Sequence, residues 1–251
     1  MSKLIINSDD FGYGRAINHA VIDTHQEGIL TSATLMTNTP GFEQAVELAK
    51  KNPKLGVGVH LVLTHLKPLR EDVPSLIDED GDFYRPDAYR AGFAIADPDE
   101  LYKEWNTQIQ KVLESGIQPT HLDSHHNAHI FNEHHEDVIL KLAENYNLPV
   151  RGNLETDKSY KTTTYFEPSF DTVSVLEPFE QKQYLESLLE RIKENESTEI
   201  MCHVGYVDEE LLKYSSFAEP RVHQVEMLID SSFAQYIRED KEIELVTFAE
   251  I

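Results

Sequence analysis

At 251 residues the chain has the length of one α/β barrel, about 250 residues, so a single domain over 1–251 is expected. Its 22 basic against 45 acidic residues leave a net charge of −23, which argues against nucleic acid or an anionic membrane as a partner. The single cysteine, Cys202, excludes a disulfide framework and a Cys-rich zinc site. No stretch reaches the roughly 18 apolar residues of a membrane span, and a cytoplasmic protein is expected.

In chain order, Lys3 to Ser8 reads as a buried strand ending in the turn-like Asp9-Asp10-Phe11-Gly12. A helix from about Ala16 to Glu27 places Ile17, Ala20, Val21 and Thr24 on one face, with Gly28 as its C′ glycine. Thr31 to Thr37 is strand-like, Gly41 to Lys51 helical, and Val57 to Leu63 a third strand carrying His60. Residues 64 to 98 break this rhythm with Pro68, Pro74, Pro86 and Pro98. They read as a long excursion over a barrel mouth, with Leu66, Leu69, Leu76, Ile77, Phe83, Tyr84 and Phe93 seeking burial.

Regularity returns with a helix through Leu101, Trp105 and Ile109 that ends near Gly116, then a short strand at Thr120 to Ser124. A helix through Val138 and Leu142 leads to an expected fifth strand, Leu148 to Arg151. Residues 152 to 178 give no clear signal. A helix through Leu185 and Ile192, a strand at Glu199 to His203, a helix over Val222 to Ile237 and a last strand at Ile243 to Val246 complete the chain. Six or seven β–α units without a repeat imply an α/β fold with a mostly parallel sheet, closed or nearly closed into a barrel. The first turn lacks G-x-G-x-x-G and no phosphate-binding loop sequence occurs, so nucleotide binding has no support.

Ionisable residues fall where the strands end: Asp9 and Asp10 after the first, His60 on the third, Asp123 and His125 at the fourth, Arg151 at the expected fifth and His203 at the next. In a parallel barrel those ends open on one face, so the groups should converge. Four histidines and Asp123 within residues 121–129 form the strongest local signal, because imidazoles and carboxylates are ordinary ligands of zinc and its divalent neighbours. The competing reading is a surface tract with adventitious metal affinity. Of the adjacent carboxylates, one suits a metal and the other the reacting water, although one could simply cap the following turn. His60 and His203, each taken singly, read more often as hydrogen-bonded structural histidines than as functional ones. His134 and His135, at a helix start, are expected to be solvated, and Cys202 to be an inert core thiol. Two imidazoles and one carboxylate with open coordination positions describe metal-assisted hydrolysis of an amide, ester or phosphoester.

The order Ile5-Ile6-Asn7-Ser8-Asp9-Asp10-Phe11-Gly12, Gly28-Ile29-Leu30-Thr31-Ser32, Gly58-Val59-His60-Leu61, Thr120-His121-Leu122-Asp123-Ser124-His125-His126 and Glu199-Ile200-Met201-Cys202-His203 resembles the YdjC-like carbohydrate deacetylases, which include chitooligosaccharide deacetylases. The resemblance implies a distorted (β/α) barrel of six to eight mostly parallel strands, related to that of the polysaccharide deacetylases. It implies one divalent ion, magnesium or zinc, on Asp10, His60 and His125, with Asp9 as base and His203 as acid. Asp123 and Arg151 would support them, and the substrate would be a small acetylated amino sugar. The alternatives are a metal-dependent phosphoesterase and a non-catalytic sugar-binding protein on the same fold; a homodimer is compatible with the sequence. The chain departs from the family pattern at Val204, where proline is usual, and at Gln224, where glutamate is; both positions are expected at the pocket wall.

Overall fold

Buried strands alternate with amphipathic helices along all 251 residues that the computed structural model describes. The first half runs β1 (Ser2–Phe11), α1 (Arg15–Glu27), β2 (Ser32–Leu35), α2 (Phe42–Lys51), β3 (Gly56–Leu61), α3 (Pro86–Arg90), α4 (Pro98–Glu114) and β4 (Leu122–Ser124). The second half runs α5 (Glu133–Tyr146), β5 (Tyr165–Glu167), α6 (Pro178–Glu194), β6 (Ser197–Cys202), α7 (Glu209–Tyr214), α8 (Glu219–Ile229), α9 (Ser232–Glu239) and β7 (Ile243–Leu245). Every strand pairing is parallel, in the order β4-β3-β2-β1-β6-β5. β1 is the hub: β6 pairs with Lys3–Ser8 on one edge, while β7 and β2 divide the other. The sheet curls into a half-barrel flanked by helices, the distorted barrel expected, open between β4 and β5.

The expected strand at Leu148–Arg151 is corrected. It makes one isolated bridge, Leu122 to Val150, and the Val150 N–H turns away to Lys161 O at 2.9 Å. The strand on the outer edge of β6 is instead Tyr165–Glu167, three residues inside the stretch that gave no signal. The helix expected over Val222–Ile237 is two helices, because the Ser231 hydroxyl accepts from Ala234 N–H and starts α9 afresh. Gly28 is not a left-handed C′ residue (φ −109°); it is glycine because a Cβ would stand 2.5 Å from both Leu228 O and Thr24 O, where α8 crosses α1.

The excursion 64–98 is tied down from α4. Buried Glu104 accepts from Leu69 N–H and Arg70 N–H, and Gln108 bonds both backbone groups of Val62. Leu76 and Phe83 are buried beneath it as expected, whereas Phe93 is 87% exposed, correcting the burial expected for it. The excursion brings Arg85 and Arg90 to the rim of the barrel mouth. No helix is long and apolar enough to cross a membrane.

Candidate active site

The end of β1 is distorted where the chemistry begins. Its register with β2 slips between Ser8 and Phe11, and Asp10 adopts φ +67°, a left-handed conformation that a non-glycine residue holds only against a cost. The bulge turns both carboxylates, which would point oppositely on a regular strand, into one cavity of about 430 Å³ at the C-terminal ends of the strands. His65, His125, His203, Arg221 and Phe217 line the same cavity. A larger cleft of about 620 Å³ lies along α5 and shares no residue with this cluster.

Asp10, His60 and His125, all buried, present ligand atoms within 4.8 Å of one another. One Asp10 oxygen, Oδ2, takes a 2.6 Å bond from Arg221 Nη2. The other, Oδ1, is buried with no hydrogen bond, yet lies 3.0 Å from His125 Nδ1 and 3.5 Å from His60 Nε2. Donors about 2.1 Å from a shared ion stand about 3.0 to 3.4 Å apart, so an orphaned carboxylate oxygen between two imidazoles fits a divalent cation. His60 Nδ1 sits 2.7 Å from Asp123 Oδ1; a carboxylate only accepts, so that nitrogen carries the proton and Nε2 is turned toward Asp10. A second grouping, Asp9, His60 and Asp123, also falls within 4.8 Å. Its oxygens are already occupied by Arg151, Asn7, Thr34 and His60 Nδ1.

Charge explains the protonation pattern. Burial alone would raise Asp10, but Arg221, His125 and His60 outweigh it and hold the carboxyl well below its usual range. Burial opposes charge on His60 as well, and there Asp123 and Asp9 prevail and lift the ion-free imidazole to about 10; an ion on Nε2 would take the place of that second proton. His125 is driven down by burial, which favours the neutral imidazole that ligation requires.

Arg151, fully buried, is the hub of the acidic cluster. Its Nη1 and Nη2 fork onto Asp9 at 2.9 and 2.6 Å, Nη2 also reaches Asp123 Oδ2 at 2.9 Å, and Nε donates to Glu199 Oε1 at 2.9 Å. Burial raises Glu199 to about 7 despite that guanidinium.

His203, 20% exposed at its side chain, stands just past β6 with Nε2 3.9 Å from Asp9 Oδ2. Its Nδ1 is 2.8 Å from Asp171 Oδ2. Burial would lower this imidazole, but Asp171 and then Asp9 outweigh it and raise its pKa. All seven residues singled out at the strand ends therefore meet: Asp9, Asp10, His60, Asp123, His125, Arg151 and His203. Asp171, against His203, and Arg221, against Asp10, complete the cluster without any marking in the sequence. Asp171 lies in a 3-10 turn, Phe170–Val175, within the uninterpreted stretch, and no spacing marks it.

Three further histidines are structural. His121 is buried, stacked on Phe248 at 3.8 Å, and packed so closely that a Cβ on residue 58 would stand 2.3 Å from its ring, hence Gly58. His129 bonds Ser124 and Asn153. His135 corrects the expectation of solvation: it is 1% exposed with Nδ1 2.7 Å from Ala128 O, while its neighbour His134 is exposed. Cys202 is the inert core thiol expected, pushed up well above its usual pKa by burial. Val204 and Gln224 are both buried and neither lines the cavity, which corrects their placement at its wall.

A sequence profile of YdjC-like proteins matches residues 3–239. The carbohydrate deacetylase of Clostridium beijerinckii is 43% identical over 253 residues, spanning 99% of this chain and 100% of its own. That of Brevibacillus brevis is 40% identical, spanning 99% of each. The crystal structure of an Enterococcus faecalis V583 protein, described as a candidate cellobiose-phosphate cleavage protein, superposes with a TM-score of 0.88 at 34% identity, over 99% of this chain and 98% of that one. With sequence and fold matched from end to end, the chain belongs to the YdjC-like protein family.

Proposed function

We propose that this chain is a metal-dependent carbohydrate deacetylase that hydrolyses the N-acetyl group of a small sugar containing N-acetylglucosamine. The observation that carries the reading is the unpartnered Asp10 Oδ1 between His60 and His125, with Asp9 beside it, in a chain whose relatives are named carbohydrate deacetylases.

Asp10, His60 and His125 would hold the ion, and their mixed carboxylate and imidazole character suits zinc or a related divalent cation such as magnesium. Such an ion supplies Lewis acidity, polarising the amide carbonyl and acidifying water. Asp9, its plane fixed by the Arg151 fork, takes the proton of the attacking water as the new C–O bond forms. His203 keeps one proton on Nδ1 for Asp171 and gives the one on Nε2 to the departing nitrogen as the C–N bond breaks. Acid and base face each other across 3.9 Å, so both address one reacting carbon. Asp123 holds His60 with Nε2 inward. The cavity, about 430 Å³, lies within the range of small-ligand sites, and the rings of Tyr13, Tyr214 and Phe217 offer apolar faces to a sugar.

Incubated with an N-acetylglucosamine disaccharide and added zinc or magnesium, the purified protein is expected to release acetate. A chelator should stop the release and fresh ion restore it. Acetate release indifferent to the chelator, phosphate release from sugar phosphates without acetate, or sugar binding without turnover would each contradict the reading.

A further inference from the structure

We propose that Gln224 is a positioning residue for His203, acting on it through both its backbone and Asp171. The proposal rests on the reading of His203 as the proton donor. The ladder between β1 and β6 ends at the Ser8–Cys202 pair, so the N–H of His203 has no strand partner. Gln224, fully buried on α8, supplies one: its Oε1 accepts that N–H at 2.7 Å. The same side chain donates from Nε2 to Asp171 Oδ1 at 2.9 Å, and His203 Nδ1 donates to that same oxygen at 3.0 Å while lying 2.8 Å from Asp171 Oδ2.

Three side-chain contacts thus close a ring that runs from the His203 backbone through Gln224 and Asp171 to the His203 imidazole. The ring fixes both the pivot of the side chain and the far side of its imidazole, leaving Nε2 directed at the cavity and Asp9. An amide is suited to the place because it accepts and donates from one group. An ionised glutamate could accept from the His203 N–H but has nothing to give Asp171, and leucine could do neither. Gln224 does not line the cavity, so its influence on turnover must pass through His203.

Displacement of a catalytic group by about 1 Å can cost about a hundredfold in rate. Gln224→Leu is therefore expected to lower kcat for an N-acetylglucosamine disaccharide by about 10- to 100-fold, with KM and bound zinc unchanged. The isosteric Gln224→Glu keeps the acceptor and the packing, and its protonated form can also donate to Asp171, so its loss should be smaller than that of leucine and should grow as the carboxyl ionises with rising pH. In a His203→Ala background, Gln224→Leu should have no further effect on kcat. Equal fold-losses in both backgrounds, or an undiminished kcat in both Gln224 variants, would overturn the positioning role alone. Full turnover by His203→Ala would overturn the donor assignment, and the role of Gln224 with it.

Discussion

Asp9→Asn is expected to slow acetate release by about a thousandfold, within the range of a lost general base, while the protein still binds its divalent ion. His125→Ala is expected to lose both turnover and ion. The two residues are close in space but differ in what holds them. Both oxygens of Asp9 are engaged by Arg151, and neither belongs to the orphaned set around Asp10 Oδ1. His125 Nδ1 stands 3.0 Å from that oxygen and is the ring nitrogen facing it. An asparagine at position 9 can still accept from Arg151 Nη2 but meets Nη1 with its own N–H, so geometry is loosened and the acceptor for water's proton is gone. Metal analysis of each variant, paired with an acetate assay, separates the roles. Normal ion content in His125→Ala would remove that residue from the ligand set, and loss of ion in Asp9→Asn would make Asp9 a ligand.

The second large effect is on stability. Arg151→Met should destabilise the protein by about 3 to 5 kcal/mol, because Asp9, Asp123 and Glu199 would remain buried around an uncharged side chain. For a chain of this length that corresponds to a fall in Tm of roughly 10 °C. Arg151→Lys should recover only part of the loss, since an ammonium cannot fork onto Asp9 while reaching Glu199. Thermal unfolding of the three proteins at one pH and one ion concentration tests this. A methionine variant as stable as the parent would show that the guanidinium does not hold the cluster together.

Most of the site was legible because a parallel barrel gathers strand C-termini. Asp9, Asp10, His60, Asp123, His125 and His203 each end a strand that hydrophobic patterning locates, so their convergence required only the fold class. Arg151 joins the site although its segment forms one bridge rather than the expected strand, because that segment lies at the open edge of β4 where a strand would. The residues that were missed belong to segments without periodicity. Three-residue β5 is bounded by threonines and Pro168 and carries no alternation long enough to read. Asp171 follows it in a 3-10 turn, and its pairing with His203 joins positions 32 residues apart that no local rule connects. A polar residue in a first helical turn usually faces water, but at His135 the preceding turn folds back and offers the ring the carbonyl of Ala128. The bulge at Asp10 was equally invisible, since alternation assumes a regular strand.

One divalent ion is expected to bind between β1, β3 and the turn after β4. The most direct test is a crystal of the protein grown with zinc and measured at the zinc absorption edge. The expected result is an anomalous peak inside the barrel mouth about 2.0 to 2.2 Å from Asp10 Oδ1, His60 Nε2 and a ring nitrogen of His125. An empty triad in zinc-loaded crystals, or zinc confined to exposed histidines such as His134, would contradict it.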